Sequence, residues 1–219
     1  MPDGREPRSA RTLASIRDIS AEAWDALAGT GDPFVAHGFL AALEESGSAT
    51  PATGWAPMHL VVENAAGLPL AAAPLYLKHH SFGEYVFDHA WADAMARAGG
   101  RYYPKLLCAV PFTPATGPRL LVPPGLDPVP AGEIRAVLAT ALIQVAERIG
   151  VSSLHVNFPA AEDARALGRA GYLARLGVQY HWRNRGYASF DDFLGQLASR
   201  KRKAIRKERA GVREAGVVL

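Results

Sequence analysis

An α+β domain is predicted by three features of the chain. Two short amphipathic helical stretches come first, a hairpin-patterned pair of apolar runs follows, and a long helical stretch then alternates with short strands. The 219 residues, 49% hydrophobic and 21% charged, are enough for one large domain or for one domain and part of a second, and they argue against disorder of the whole.

The first helix is expected from Ser20, whose hydroxyl can cap AEAWDALA, to Gly29, with Trp24 and Leu27 on one face. A second, roughly Ala36 to Glu45, carries the stripe Phe39, Leu40 and Leu43. Ahead of both, residues 1–14 are polar and Arg- and Pro-containing, and read as a disordered terminus. The runs MHLVVE and LPLAAAPLYLK, joined by the Asn64 to Gly67 turn, signal a hairpin, with Pro69 and Pro74 marking an edge or a bulge in its second strand. Glu133 to Ile149 has Ile134, Val137, Leu138, Ala141, Leu142, Val145 and Ile149 at helical spacing and stops at Gly150. SSLHVNFP reads as a short strand, AEDARALGRAGY as a helix with an acidic first turn, and LARLGVQYHWRN as strand-like. A long helix is expected from Ser189.

Between the hairpin and the long helix lies the stretch that bears the most chemistry, Phe82 to Val122. It joins a helical piece, the Gly99-Gly100 break, a Tyr-Tyr-Pro-Lys turn and the apolar run LLCAV. Asp88, His89, Trp91, Asp93, Arg101, Tyr102, Tyr103 and Lys105 crowd polar and aromatic groups beside that run, as a pocket lining does. Arg101, Lys105, Trp91 and Asp93 are candidates for binding a substrate, and Tyr102, Tyr103 and His89 for catalysis. Two core tyrosines with two solvated cations is the competing reading. His79, His80 and His89 with Asp88 and Asp93 lack any further ligand spacing, so no metal is expected. His155 and Asn157 share one side of their strand and either line a cleft or face solvent.

The net charge of +3 conceals an asymmetry. From Arg175 onward there are 11 Lys and Arg against 4 Asp and Glu, and before it 13 against 17. The basic character centres on SRKRKAIRKER, where Arg200, Lys201, Arg202, Lys203, Arg206 and Lys207 flank a stripe of Phe190, Phe193, Leu194, Leu197, Ala204, Ile205 and Val212 that is expected to pack, though incompletely, beneath an exposed basic side. That face either binds phosphate, as in tRNA or another nucleic acid, or is simply solvated. RNRGYA, with Arg183, Arg185 and Gly186, fits a loose pyrophosphate-loop pattern and equally a plain linker.

The single Cys108 lies in an apolar run and reads as a core thiol, with no partner for a disulfide or a thiolate zinc site. No apolar segment is expected to reach the ~18–20 residues of a membrane span, and the N-terminus lacks the apolar centre of a signal peptide, so a cytoplasmic protein is expected. Neither G-x-S-x-G nor a Cys/His nucleophile arrangement is present.

Three strings, PLYLKHHSFGEYVFDHAWADA, GGRYYPKLLCAVPFTPATGPRLL and SFDDFLGQLASRKRKAIRKER, resemble the FemAB-like family of N-acyltransferases associated with peptidoglycan biosynthesis or recognition. The likeness spans about residues 15 to 219. It implies a GNAT-like mixed sheet flanked by helices over residues 15–185, with 186–219 opening a second, truncated GNAT-like domain. It also implies acyl or aminoacyl transfer to an amine of a small molecule or peptidoglycan precursor, with acyl-CoA or aminoacyl-tRNA as co-substrate, no bound cofactor, and a fragment inactive alone. A non-catalytic module that grips an anionic polymer through residues 199–213 is the alternative.

Overall fold

A computed structural model describes residues 8–217. The chain divides between Leu176 and Gly177 into two units, each taken by itself. The expected boundary, between residues 185 and 186, lay further along the chain.

Unit one begins with a strand. β1 (Arg8–Leu13) pairs antiparallel with β3 (His59–Asn64), so within the span expected to be disordered these six residues are ordered by a sheet partner. Residues 1–7 lie outside the described residues. Ser20 caps α1 (Ala21–Ala28) by accepting from the Ala23 N–H, and Gly29 ends it with φ of +69°. α2 (His37–Glu45) follows, starting within a residue of the expected position.

Two sheets replace the single expected one. β1, β3 and β4 (Pro69–Ala73) form the first; β2 (Trp55–Pro57), β5 (Leu75–Lys78), β6 (Lys105–Cys108) and β7 (Leu154–Val156) form the second, in that order. Every pairing is antiparallel except β6 with β7. The two prolines account for the division. Pro69 sits opposite a register shift between Val62 and Glu63, and Pro74, lacking an N–H, separates β4 from β5.

Alternate strand residues feed opposite faces. Leu60, Val62, Ala71, Ala73, Leu106 and Cys108 pack with α4 (Pro128–Ile149) and α5 (Ala161–Arg169), through Leu138, Leu142 and Leu167 among others. Val61 and Ala72 pack with α1 and α2 through Trp24, Leu27 and Leu40. Burial on both faces explains why β3 reads as a continuous apolar run. α4 spans 22 residues at mean hydropathy 1.3, long and apolar enough to cross a membrane, but its stripe of Leu138, Ala139, Ala141 and Leu142 is spent on the core.

Residues 173–184, read as strand-like, form no strand and join neither sheet. In unit two the expected single helix is broken at Gln196 to Ala198 into α6 (Phe190–Gly195), capped by Ser189, and α7 (Ser199–Glu214). Of the apolar stripe expected to pack, Leu194 on α6 is buried, while α7 has no buried residue.

Candidate functional site

A lysine inside an apolar strand needs buried counter-charge, and here two stand side by side. Lys78 on β5 and Lys105 on β6 are register partners, both fully buried. The compensating acids come from the excursion between the two strands, residues 79–104. Lys105 Nζ donates to Glu84 Oε2 at 2.9 Å, Asp88 Oδ2 at 2.6 Å and Ser81 Oγ at 2.9 Å, which uses all three of its protons. Lys78 Nζ donates to the Phe82 carbonyl at 3.2 Å and lies 3.6 Å above the Trp55 ring.

Tyrosines close the cluster. Tyr102 Oη donates to Asp88 Oδ2 at 2.7 Å, and Tyr103 Oη lies 2.7 Å from Ser81 Oγ. The Tyr103–Pro104 bond is cis, and Ser152 donates to the Tyr102 and Pro104 carbonyls, tying this turn to the start of β7. His155 on β7 presents its ring edge-on to Tyr102 at 6.0 Å and lies 3.0 Å from Ser153 Oγ. At Gly83, with φ of +78°, an added Cβ would stand 2.6 Å from the Phe112 ring, so only glycine lets the chain pass there.

Burial and hydrogen bonding pull these groups apart electrostatically. Burial alone would raise Asp88, but hydrogen bonds from Lys105, Ser81 and Tyr102 outweigh it and hold the carboxyl at about 2. Glu84 is raised, because its burial outweighs the attraction of Lys105. Burial, with Lys105 nearby, brings Lys78 down to about 8, and His155, buried near the same cation, falls to about 4. His155 is therefore neutral at physiological pH. Glu84 Oε1 and Asp88 Oδ1 are buried without a hydrogen-bond partner among the described residues.

Of the residues read from the sequence, Asp88, Tyr102, Tyr103 and Lys105 come together. Lys105, expected to bind a substrate, is sealed beneath the excursion, where it can position groups but not touch a substrate. Arg101 is exposed. His89, Trp91 and Asp93 lie on the exposed α3 (His89–Arg97), with the Arg175 guanidinium 5.5 Å from the Trp91 ring. Among the described residues no three His, Cys, Asp or Glu side chains gather as a metal set. His155, read as lining a cleft or facing solvent, lies beside Tyr102; Ser81, Glu84 and Lys78 were missed, and the signal for them was a lysine in each of the apolar strands LYLK and KLLC.

Cys108 is a core thiol. Burial pushes it up to about 12, and its Sγ sits 3.5 Å from the Arg119 carbonyl. Past Cys108 and Val156 the pairing of β6 with β7 ends, and residues 115–119 enter beside β7's continuation through a Gly117–Pro159 bridge. The buried Arg119 guanidinium donates to the Asn157, Pro118 and Ala115 carbonyls, and Asp163 accepts from the Arg119 and Leu120 N–H groups. These bonds leave that parting filled.

Two open grooves lie elsewhere. One of about 330 Å³ is bordered by Ser15, Arg17, Glu44 and Glu45, and another of about 440 Å³ by Ala146, Glu147, Val151 and Leu154. Glu44 sits between Ser15 Oγ at 2.6 Å and His59 Nε2 at 2.9 Å and also accepts from the Ile16 N–H. The carboxylate, not the imidazole, is in the middle, so the Ser–His–acid order of a triad is absent, and the lowered Glu44 carboxylate is a poor base for Ser15. The chemistry of the Lys105 cluster, rather than either groove, marks the candidate site.

In unit two, Asn184 Oδ1 accepts from the Gly186 and Tyr187 N–H groups, so the pyrophosphate-loop donors are already bound by a neighbouring side chain. Arg183 and Arg185 are exposed. On α7, Arg200, Lys201, Lys203, Arg206 and Lys207 are exposed and Arg202 half-buried; Arg206 pairs with Asp191 at 3.0 Å and Arg209 lies over the Phe190 ring at 4.2 Å.

The family model for FemAB-like proteins, described as peptidoglycan biosynthesis/recognition, matches residues 15–219, and the chain belongs to that family. No curated protein matches it. Two solved structures resemble its backbone. One is the aminoglycoside antibiotic 6'-N-acetyltransferase AAC(6')-Ih from Acinetobacter baumannii, at 15% identity and TM-score 0.43, with 82% of this chain and 100% of that one covered. The other is a GCN5-related N-acetyltransferase from Ralstonia eutropha JMP134, at 17% identity and TM-score 0.42, covering 80% and 99%.

Proposed function

We propose that the chain contributes to an N-acyltransferase of the FemAB-like type, which moves an acyl or aminoacyl group onto an amine of a peptidoglycan precursor or related cell-envelope molecule. The family match over residues 15–219 carries this reading. The donor is acyl-CoA or aminoacyl-tRNA, and the two-domain organisation implied by the family is part of the same proposal.

The residues fit direct transfer. A buried, neutral Cys108 is no nucleophile, and Ser15 has only a poor base, so no acyl-enzyme is formed on either. Direct attack needs positioning, a neutral amine and a donor for the developing oxyanion. Arg101 holds an anionic part of the substrate. The Lys105, Glu84 and Asp88 cluster fixes Tyr102 and Tyr103 next to it. Incubating the protein extended through the proposed second domain with acyl-CoA or aminoacyl-tRNA and an amine-bearing precursor, followed by mass spectrometry of the acceptor, tests the proposal; an acceptor left unmodified by the extended protein with both donors rejects it, and equal turnover by the 219 residues alone rejects the two-domain part.

The exposed cations of α7 support a second reading, a module that grips an anionic polymer. Retention of single-stranded RNA or DNA whose affinity falls steeply with salt, without any transfer, favours it.

A further inference from the structure

The excursion between β5 and β6 is amphipathic in reverse. From His79 to Pro104 its only buried side chains are Ser81, Glu84 and Asp88, all three bound to Lys105. Its large apolar side chains point the other way: Phe82 is 69% exposed, Tyr85 55%, Phe87 78% and Trp91 63%. Met95, one turn beyond Trp91, is exposed as well, and α3 has no buried residue at all. An element that spends its charges inward and displays aromatics outward is matched to an apolar or interfacial neighbour, since a contiguous exposed apolar patch marks an interaction site.

We infer that this outward face docks on the surface of an anionic lipid bilayer. Charge complementarity selects that occupant. Glu84 and Asp88 are consumed by Lys105, so the charges left outside are Arg97, Arg101 and Arg175 against Asp93 alone. Aromatic side chains interspersed with arginines, on a short helix and loop standing clear of the core, suit the headgroup region, where amphipathic rings settle and cations meet anionic lipid. The face is also held in shape. Tyr85 takes a left-handed backbone conformation with φ of +57°, and the Phe112 N–H bonds the Gly83 carbonyl at 3.1 Å. Arg175 donates to the Phe87 carbonyl at 3.1 Å. The inference rests on the exposed aromatics and Arg97 and shares only Arg101 with the acyl-transfer reading.

The test uses the 219-residue chain with vesicles of phosphatidylcholine alone and of equal parts phosphatidylcholine and phosphatidylglycerol. Sedimentation should carry the protein down with the anionic vesicles, more weakly with the zwitterionic ones, and less as salt rises. The double variant Phe87→Ser, Trp91→Ser should bind at least about tenfold more weakly at an unchanged melting temperature. Arg97→Glu should weaken the preference for anionic vesicles. Trp91 should supply the fluorescence blue shift on binding, so that Trp91→Phe abolishes it. No sedimentation with either vesicle, or equal binding by the double variant, overturns the inference. Self-association without vesicle binding, lost in the double variant, overturns it in favour of a second copy as the occupant.

Discussion

Lys78 and Lys105 face each other across β5 and β6, two like charges out of solvent in adjacent strands. That pairing is tolerable only because Glu84 and Asp88 reach in from the intervening excursion, and the excursion is in turn fastened by the lysines. Removing one partner leaves uncompensated buried charge, which is more damaging than replacing the set with neutral groups. Lys105→Ala should therefore destabilise the protein by about 3–5 kcal/mol. Lys105→Met combined with Glu84→Gln and Asp88→Asn should recover much of that loss. Urea denaturation of the three proteins measures the difference.

Asp88 gives the cluster a pH signature. Its native carboxyl, at about 2, lies below its ordinary 3.8, so the native state holds the proton less tightly than the unfolded one. The stabilisation is present above the unfolded value and is lost as pH falls through the window from about 4 to about 2. Glu84, raised, acts in the opposite sense, so comparison with Asp88→Asn isolates the effect. Lys78, lowered from 10.5 to about 8, adds stability as pH rises through that interval, because there the unfolded chain binds more protons. Thermal melts across both windows should show the acid loss weakened in Asp88→Asn and the alkaline gain abolished in Lys78→Met.

Cys108 should be inert. Its thiol is buried and pushed up to about 12, so a thiol reagent should leave the native protein unmodified and label it stoichiometrically in denaturant. Cys108→Ala should keep full transfer activity; a loss of turnover at unchanged stability would restore the thiol to the chemistry.

Arg101 is exposed at the edge of the cluster, beside the two tyrosines whose rings meet edge to face at 5.0 Å. Arg101→Ala should weaken substrate binding by about one to two orders of magnitude with little change in melting temperature. Isothermal titration and a thermal melt together check it. Normal binding would remove Arg101 from the site.

Much of the fold was legible because its signals are local. Ser20 and Gly29 bracket α1, Gly150 in the left-handed region stops α4, and Pro69 marks the register shift in the hairpin, each by chemistry within a few residues. What was not legible depends on distant partners. β1 looked like a frayed terminus because its order comes from β3, some fifty residues away in the chain, and not from its own composition. Residues 173–184 read as strand-like, yet a strand exists only as part of a ladder, and these residues join neither sheet. The site divides in the same way. Tyr102, Tyr103, Asp88 and Lys105 were found from their crowding beside an apolar run, but the burial of Lys105 follows from acids 17 and 21 residues away, which spacing did not reveal.

Transfer of mass to an amine acceptor tests the central proposal most directly. With the protein extended through the proposed second domain, acyl-CoA or aminoacyl-tRNA as donor and an amine-bearing peptidoglycan precursor as acceptor, the precursor should gain the mass of one acyl or aminoacyl group, undiminished in Cys108→Ala and reduced at limiting substrate in Arg101→Ala. An acceptor of unchanged mass with either donor, while the same preparation retains RNA or DNA in a strongly salt-dependent manner, would contradict it and leave an anion-binding module in its place.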